Sequence, residues 1–398
     1  MSSAGASSAR ENDGLADSDS IRWSTVIGPA GLEKLAEEAD RSFLRPRRLE
    51  HHLLWLSRTD HGKHSTCGAI AFYREDTLVG YVPLRVRHSK LRLRIGEVTV
   101  VHLPFRASQL YGQGIVGEMA DAAQIFTAVA EIPLAYDGIM LEEIPTESEL
   151  WRELKRSKVF LVFRQSLATH YVIDLPSNYA NYFQQLSQKT RTNIRRGARE
   201  LDARLGGWEV RTFTAPEQIP ELVQFVESIV TKTFHYHLLR QDLTMSNYQF
   251  VHNLTSYARQ GWLRGYVLVR GRRAVAYSIG YVVNKNYQYE LIGYDPTFAH
   301  ASPGIVLLAY IIEDLIGAGI VDVLDFGAGE AGYKRLFGNR SYEEGAALIC
   351  RRTLYASSAA TAERVFAQLS ALGTRIVRRV GLNIRLKKFL RGKRGPLS

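Results

Sequence analysis

The order of secondary-structure elements in the second half of the chain constrains the fold most strongly. From residue 207 onward, the hydrophobic pattern predicts the order β-α-α-β-β-β-α-β-α-β. Residues 262–294 predict a three-strand antiparallel meander, with short turns that contain glycine or asparagine. One β-α-β crossover follows, formed by a helix that begins near Ser302 and a strand that ends near Phe326. This order predicts an α/β fold of the α+β type, with a mixed sheet flanked by helices, and it is not doubly wound.

The first half of the chain shows a similar mixture of helix and strand signals. Residues 31–43 predict a helix, two strands flank the turn at Glu75-Asp76, and residues 93–103 predict a third strand. A helix and two further strands follow. Residues 178–205 then predict one long helix, rich in lysine and arginine, that leads into the second half.

A glycine motif lies late in the chain, in the stretch VLDFGAGEAGYK. Gly327, Gly329 and Gly332 have the G-x-G-x-x-G spacing of dinucleotide sites, which also looks like the first motif of S-adenosylmethionine methyltransferases. A dinucleotide fold needs a long helix, an acidic residue about 20 positions on and further parallel strands after this motif. The chain has 398 residues, so little of it remains after Gly332, and most of that is a basic tail. We therefore interpret the glycines as a turn from a strand into a short helix.

A better anion site is predicted one element earlier, where a helix opens with Ser302-Pro303-Gly304. Ser302 suits the N-cap and Pro303 suits the first helical position. The free backbone N–H groups and the dipole of a helix start attract phosphate oxygens, and Gly304 lets these oxygens approach the backbone. An ordinary capped helix is the alternative that stays open.

The net charge of +11 is concentrated at the C-terminus. Residues 351–398 contain twelve basic residues and one acidic residue, so the rest of the chain is balanced and a specific nucleic-acid groove is not predicted. The basic segment is either a contact for an anionic membrane surface, which co-sedimentation with anionic vesicles tests, or a solvated helix packed on the body. The chain has two cysteines, and they lack a metal-ligand spacing, so we expect a cytoplasmic protein without a metal. If the basic tail binds a membrane, we expect the protein to be peripheral to its inner face.

The residues around both motifs resemble a known superfamily. The element order is similar to that of the GNAT acyl-CoA N-acyltransferases. Residues 294–338 look like the cellulose-biosynthesis acetyltransferase family, often labelled CelD/BcsL. The basic stretch KTRTNIRRGARELD also resembles a helix of the Fem aminoacyltransferases of peptidoglycan synthesis. The matching residues are Tyr294-Asp295, Ser302-Pro303-Gly304, Asp325-Phe326, Gly329 and Tyr333-Lys334.

The resemblance implies two GNAT-like folds in tandem. It covers residues 166–352 well and the first half only by the pattern of elements. The standard GNAT phosphate loop, Gln/Arg-x-x-Gly-x-Gly/Ala, is absent, and the Ser-Pro-Gly turn stands in its place. The implied division is a disordered tail at 1–20, a degenerate GNAT-like domain at 21–165, a catalytic GNAT domain at 166–352 and a basic helical tail at 353–398.

The resemblance also implies a donor site and a catalytic acid. Backbone N–H groups of the strand at residues 288–294, which contains Ile292, are expected to bind the thioester carbonyl of acetyl-CoA or another acyl-CoA. Tyr333 is expected to protonate the departing thiolate, with a core tyrosine as the alternative. Lys334 is expected to contact phosphate or substrate.

Several residues are candidates for the base and for acceptor contacts. Glu290 lies within the strand beside the thioester, and Asp295 lies at the end of that strand. Burial against the neighbouring tyrosines is expected to raise the pKa of a carboxyl group there. His235 and His237 are rival bases or substrate contacts. We expect further substrate contacts from Lys189, Arg195, Arg199 and Asp325, although the helix that carries the three cations is equally a solvated face.

Two hypotheses of function follow. The first is an acyl-CoA-dependent N- or O-acyltransferase that acts on a sugar, a sugar nucleotide or a polysaccharide precursor, where the sugar comes from the family resemblance alone. The second is a non-catalytic assembly protein of envelope polysaccharide synthesis with an inactive GNAT fold. Titration with acetyl-CoA discriminates between them. A third reading is a Fem-like transferase that uses aminoacyl-tRNA.

Overall fold

One continuous sheet of 13 strands runs through the part of the chain that the structure describes. His235 and His237, the predicted tail at residues 1–20 and most of the basic tail lie outside the described residues, so their predicted roles stay predictions. The computed structural model describes residues 21–58, 65–95, 98–111, 115–117, 122–132, 136–154, 156, 160–232, 243–359, 361–362, 364–366 and 368.

The elements are numbered in chain order, and the predicted order of the second half is confirmed. The strands are β1 (Ile21–Ile27), β2 (Ser65–Arg74), β3 (Thr77–Ile95), β4 (Val98–Tyr111), β5 (Val116–Gly117), β6 (Gly138–Pro145), β7 (Phe160–Asp174), β8 (Glu209–Phe213), β9 (Leu263–Arg270), β10 (Arg273–Val283), β11 (Asn286–Tyr294), β12 (Val323–Ala328) and β13 (Arg340–Arg351). The helices are α1 (Pro29–Arg41), α2 (Leu53–Arg58), α3 (Ala122–Glu131), α4 (Glu149–Leu154), α5 (Tyr179–Gln185), α6 (Gln188–Leu205), α7 (Ile219–Val230), α8 (Tyr248–Arg259), α9 (Pro303–Ala318) and α10 (Gly332–Phe337).

The sheet consists of two similar halves that exchange their last strands. Its order is β1-β2-β3-β4-β6-β13-β7-β12-β11-β10-β9-β8, with β5 on β3. Strand β7 follows the first half in sequence but pairs with β12 of the second half, and β13 ends the second half but pairs with β6 of the first. Between them, β7 and β13 pair antiparallel. The predicted boundary between residues 165 and 166 therefore lies inside β7, one of the two strands that join the halves.

Two predicted elements were wrong in their extent. The helix predicted over 178–205 is interrupted, because Leu186 is extended and the side chain of Ser187 caps α6 by accepting a hydrogen bond from the amide of Thr190. The strand predicted over 93–103 joins the end of β3 to the start of β4, and these strands pair antiparallel. Apolar periodicity continues from the end of β3 into the start of β4, so the pattern alone does not show that the predicted strand belongs to two strands.

Helices cover both faces of the second half of the sheet. One core cluster packs α6 and α9 against strand residues that include Tyr266 and Leu268, and another packs α7 and α8 against Val267 and Val269. These residues alternate because successive side chains of a strand point to opposite faces. Although α9 is largely buried, no helix in the described ranges is long and apolar enough to cross a membrane.

The close approach of α6 to the start of α9 requires a glycine. A Cβ atom on Gly197 would lie 2.5 Å from the carbonyl oxygen of Ala301 and 3.0 Å from Cγ2 of Val306. We expect Gly197→Ala to force the helices apart and to lower the free energy of unfolding, measured in urea, by about 1–3 kcal/mol. Gly317→Ala in α9 is the control, because a Cβ atom there meets nothing within 4 Å. Equal stability of the two variants would contradict the packing argument.

Candidate active site at the seam of the two halves

Strands β11 and β12 pair in parallel over a short stretch and then separate. Three residue pairs join them, from Asn286–Val323 to Gln288–Asp325. Strand β12 pairs with β7 on its other edge from Val323 onward, and beyond the three pairs β11 stays on β10 to its end while β12 stays on β7. A wedge therefore opens between the two strands after Gln288 and Asp325. The edge of β11 that faces the wedge, in the part that contains Ile292, offers backbone N–H and C=O groups to an extended ligand.

An aromatic cluster lines one side of the wedge. The rings of Tyr289, Phe326 and Tyr333 lie edge-on to one another, with centroids 5.6 to 6.0 Å apart. Tyr333 is half-buried, and its hydroxyl has no hydrogen-bond partner among the described residues. Burial, followed by the charge of Glu290, raises the pKa of Tyr333. Tyr333 therefore keeps its proton at neutral pH and can donate it to a group in the wedge.

The glycine motif forms the turn after β12. Gly327 and Gly329 have φ angles of 68° and 92°, in the left-handed region that glycine adopts without steric cost. The amide of Gly327 donates to Oδ1 of Asp325, and the amide of Gly329 donates to the carbonyl of Thr169. Gly332 is the first residue of α10. The interpretation of the motif as a strand-to-helix turn is confirmed.

The two predicted carboxyl bases have different environments. Glu290 is exposed at the mouth of the wedge, yet partial desolvation there, followed by the charge of Glu50, raises its pKa. Asp295 is buried, and it accepts hydrogen bonds from Nζ of Lys232 at 2.8 Å and from the amide and hydroxyl of Thr297. Although burial opposes its charge, these hydrogen bonds lower the pKa of Asp295. The expectation of a raised pKa is thus supported for Glu290 and wrong for Asp295.

The start of α9 borders the outer end of the wedge. A Cβ atom on Gly304 would lie 3.9 Å from Cδ1 of Tyr294, the last residue of β11. Ser302 occupies the N-cap position with a φ of 51°, but its side chain makes no capping hydrogen bond, contrary to the prediction. Pro303 takes the first helical position as expected. The amides of Ser302 and Ile305 already donate to backbone carbonyls, so the helix start offers the amide of Gly304 and the helix dipole to an anion that extends out of the wedge.

Lys334 is occupied by the backbone of the turn after β12. Its side chain is buried, and Nζ donates to the carbonyl oxygens of Gly327 at 3.1 Å and Ala328 at 2.6 Å. Burial lowers the pKa of Lys334. The ammonium group thus holds the turn, and the predicted contact with phosphate or substrate stays a prediction.

The cations of α6 face away from the wedge. Gly197 lies on the buried face of this helix, whereas Lys189, Arg195 and Arg199 are exposed. Helical spacing places Arg195 and Arg199 opposite Gly197, and the guanidinium carbon of Arg195 lies 5.3 Å from the ring centre of Phe183. The predicted contact of these residues with substrate stays a prediction, and the exposure of all three fits the alternative of a solvated face. They form an outward-facing basic surface.

A network of buried charges links the wedge to the first half of the chain. Arg48 lies between α1 and α2, and its Nε is 2.7 Å from Oε1 of Glu50. Its Nη1 is 3.0 Å from Oε2 of Glu143 on β6 and 3.3 Å from Oδ2 of Asp325 on β12. Asp325, which was predicted to contact substrate, is therefore held by protein groups at the vertex of the wedge.

His170 on β7 extends this network to β13. Its Nε2 is 2.6 Å from Oδ1 of Asp325 and its Nδ1 is 2.5 Å from Oε2 of Glu344, while its ring stacks on Tyr342. Burial disfavours the charged ring, but the two carboxylates outweigh it and raise the pKa of His170 to about 9. Burial likewise opposes the charge of Asp325, but His170 and Arg48 lower its pKa to about 2. At neutral pH the ring is positive and Asp325 is negative.

A cavity of about 280 Å³ opens beside the network. Glu143 reaches it from β6 with a φ of 58°, at an irregularity in the pairing with β13. Burial raises the pKa of Glu143 to about 7, although Arg48 opposes this rise. Glu143 can therefore gain or lose a proton near neutral pH. The lining residues are Glu142, Glu143, Ser166, Ala168, Ala328, Glu344, Gly345 and Ala346.

Apart from Asp325, sequence analysis missed the residues of this network. Arg48 and Glu50 lie before and within a short 3-10 helix, Leu49–His51, which carries no motif. Glu143, His170 and Glu344 each lie within a strand. A charged or titratable residue in an otherwise apolar strand is a weak signal of a buried polar site, and it would have singled out His170 in SLATHYVID.

The part of the chain that forms the wedge matches a known protein family. Residues 188–335, from α6 into α10, match the family model of the acetyltransferase (GNAT) domain. This segment contains the wedge, the start of α9 and Tyr333. No curated protein matches the sequence significantly.

Two solved structures share the fold. FemX is 10% identical with a TM-score of 0.55, over 79% of this chain and 95% of FemX. The C-terminal domain of a protein described as a lysylphosphatidylglycerol synthetase, from Agrobacterium fabrum, is 12% identical with a TM-score of 0.51, over 84% of this chain and 97% of that domain. Such low identities show the fold alone. The predicted fold class is confirmed as mixed α/β and GNAT-like, and the narrower cellulose-biosynthesis family stays a prediction.

The charged ring of His170 predicts how stability depends on pH. Its pKa rises from 6.5 to about 9 on folding, so its contribution is fully present below pH 6.5 and is lost as the pH rises through about 9. We expect the unfolding free energy of the wild type, from urea titrations, to fall over this range by roughly 3 kcal/mol more than that of His170→Asn. Parallel pH profiles of the two proteins would show that the ring is not charged in the folded state.

Proposed function

We propose that this protein is an acyl-CoA-dependent acyltransferase that transfers an acetyl or other acyl group to an amine or hydroxyl group. The observation that carries the proposal is the wedge between β11 and β12, with the hydroxyl of Tyr333 beside it. The match of residues 188–335 to the acetyltransferase (GNAT) domain supports the same class of reaction.

In the proposed reaction, the acyl thioester lies in the wedge with its carbonyl oxygen toward backbone N–H groups of β11 near Ile292. The nucleophile of the acceptor attacks the carbonyl carbon, the C–S bond breaks, and Tyr333 gives its proton to the sulfur. Glu290 takes the proton that the nucleophile loses, and its raised pKa suits it to this role. A proton then passes from Glu290 to Tyr333 through solvent, which restores both groups.

The start of α9 is the proposed site for the diphosphate of the donor. It lies against Tyr294 at the open end of the wedge, so a donor whose thioester is inside the wedge extends toward it. The helix dipole and the amide of Gly304 favour an anion there, whereas the amide of Ser302 already donates to the carbonyl of Ala299. We do not assign Lys334 to this contact, because its ammonium group binds backbone carbonyls.

The cavity at the seam is the proposed entrance for the acceptor. Its carboxyl groups, Glu142, Glu143 and Glu344, favour an acceptor that carries an amine, and they disfavour the diphosphate of a sugar nucleotide. The resemblance to cellulose-biosynthesis acetyltransferases suggests that the amine belongs to an amino sugar or a polysaccharide precursor. We therefore propose N-acylation of an amino sugar as the first case to test.

A Fem-like transfer from aminoacyl-tRNA is the second candidate. The outward-facing cations Lys189, Arg195 and Arg199 on α6 favour it, because such a surface attracts the phosphates of a nucleic acid. The same assay with aminoacyl-tRNA in place of acyl-CoA tests this donor. The candidate is rejected if no aminoacyl group reaches any acceptor that accepts an acetyl group.

Release of free thiol from acetyl-CoA tests the first proposal. We expect thiol release to be fastest with an amino sugar, slower with the same amino sugar linked to a nucleotide, and slowest with the matching neutral sugar. Calorimetric titration with acetyl-CoA is the accompanying measurement of donor binding. Absence of both binding and thiol release at roughly millimolar donor would contradict an acyl-CoA-dependent enzyme and favour the non-catalytic role.

Replacement of Tyr333 tests the catalytic acid. Tyr333→Phe keeps the ring in the aromatic cluster but removes the proton, so kcat should fall by about 100-fold while the Kd for acetyl-CoA stays within about threefold. Tyr171→Phe is the matched control, because the hydroxyl of Tyr171 donates to Glu330 outside the wedge. If Tyr333→Phe turns over like the wild type, another group protonates the sulfur.

A further inference from the structure

The first half of the chain supplies a segment that lies directly on the vertex of the wedge. We call residues 47–51 the clamp segment. Nδ2 of Asn286 donates to the carbonyl oxygen of Arg47 at 2.9 Å, and the amide of Leu49 donates to Oε1 of Gln288 at 2.7 Å. Asn286 and Gln288 belong to the short part of β11 that pairs with β12, and they are two positions apart, as are residues on one face of a strand. The clamp segment therefore follows β11 where the two strands begin to separate.

Arg48, within the clamp segment, ties the two halves together. Its side chain is only 13% exposed, and it bridges Glu143 on β6 of the first half and Asp325 on β12 of the second. Its partner Glu50 accepts a hydrogen bond from Nε2 of Gln288 at 3.1 Å. One guanidinium group thus acts, directly or through Glu50, on both strands that form the wedge.

We infer that Arg48 is a positioning residue for acyl transfer, and that the clamp segment makes the first half an obligatory part of the active site. This inference rests on the proposed function. Arg48 holds Asp325, and with it the end of β12, at a set distance from β11. Strand β12 leads into the turn before α10, and Tyr333 is the second residue of α10. A shift of β12 therefore also displaces the hydroxyl of Tyr333 from a thioester that is bound to β11. A displacement of about 1 Å is enough to cost about 100-fold in rate.

Arg48 also sets the charge of the carboxyl groups around the wedge. Burial raises the pKa values of Glu143 and Glu290, and the positive charge of Arg48 opposes both rises. The other charges that act on Glu290 are those of Glu50, Asp325 and Lys334. Loss of the guanidinium therefore raises the pKa of Glu290 further. If Glu290 must be ionised to accept a proton, the acidic limb of the pH profile must then move to higher pH.

Three variants test the inference. Arg48→Met removes the charge and the hydrogen bonds, and Arg48→Lys keeps the charge without the planar fork. Arg45→Met, the control, removes an arginine just before the clamp segment, whose side chain forms an ion pair with exposed Asp40. For each, we would measure kcat and KM for the amino sugar across pH, the Kd for acetyl-CoA, and hydrogen–deuterium exchange of β11 and β12.

We expect Arg48→Met to lower kcat by about 100-fold, with a Kd for acetyl-CoA within about threefold of the wild type, and to shift the acidic limb to higher pH. Arg48→Lys should restore the acidic limb of the pH profile to its wild-type position and recover part of kcat. Arg45→Met should match the wild type in kcat and in the pH profile. A purely structural role predicts lower stability with no shift of the limb, and that result would overturn the inference. So would wild-type kcat in Arg48→Met.

Hydrogen exchange separates failure of this inference from failure of the proposed function. If the wild type transfers no acyl group to any acceptor, the proposed function fails, and the clamp is judged by exchange alone. Faster exchange of residues 286–294 and 323–328 in Arg48→Met than in Arg45→Met supports the clamp. Equal exchange in the two variants contradicts it. If Arg48→Met does not fold, Arg48→Lys decides by the same comparison with Arg45→Met.

Discussion

The antiparallel pairing of β7 with β13 is the interaction on which the rest of the structure depends. Each strand ends one half in sequence and pairs with the sheet of the other half, so neither half completes its sheet alone. The exchange makes the sheet continuous and brings β6 of the first half close to β12 of the second. His170 and Glu344, which lie on the two exchanged strands, hold each other across the seam. The candidate active site forms where these strands meet.

The charges at the seam are better explained by function than by stability. The attraction between His170 and Asp325 outweighs the cost of their burial, but well-packed apolar residues often stabilise a buried seam as well as a set of paired charges does. The network instead keeps groups with opposite shifts in pKa close together: Asp325 is strongly acidic, whereas Glu143 titrates near neutral pH. Such separation is typical of sites that move protons.

The elements with strong local signals were predictable, and the places where local signals conflict with packing were not. Periodicity indicated the meander and α9, and positive φ angles at Gly327 and Gly329 agree with a turn read from glycine spacing. The break before α6 was missed because a helical pattern runs through it, although Ser187 is a good N-cap. Among the residues of the candidate site, the GNAT resemblance led to Glu290 and Tyr333, and both lie at the wedge. The sequence does not show that the ammonium group of Lys334 turns back to the carbonyls of its own turn, because this contact depends on how the turn folds.

The sequence by itself determined the order of elements, the GNAT-like class of the second half and the turn that leads to Tyr333, because each of these depends on neighbours within a few positions along the chain. Tertiary structure alone decided the exchange of β7 and β13, the placement of the clamp segment on β11 and the joining of Arg48 to Asp325, which are 277 positions apart. The pKa values of Glu143 and His170 belong to this second group. A pKa is set by desolvation and by the charges that folding brings within a few ångströms, and no local pattern records which charges those are.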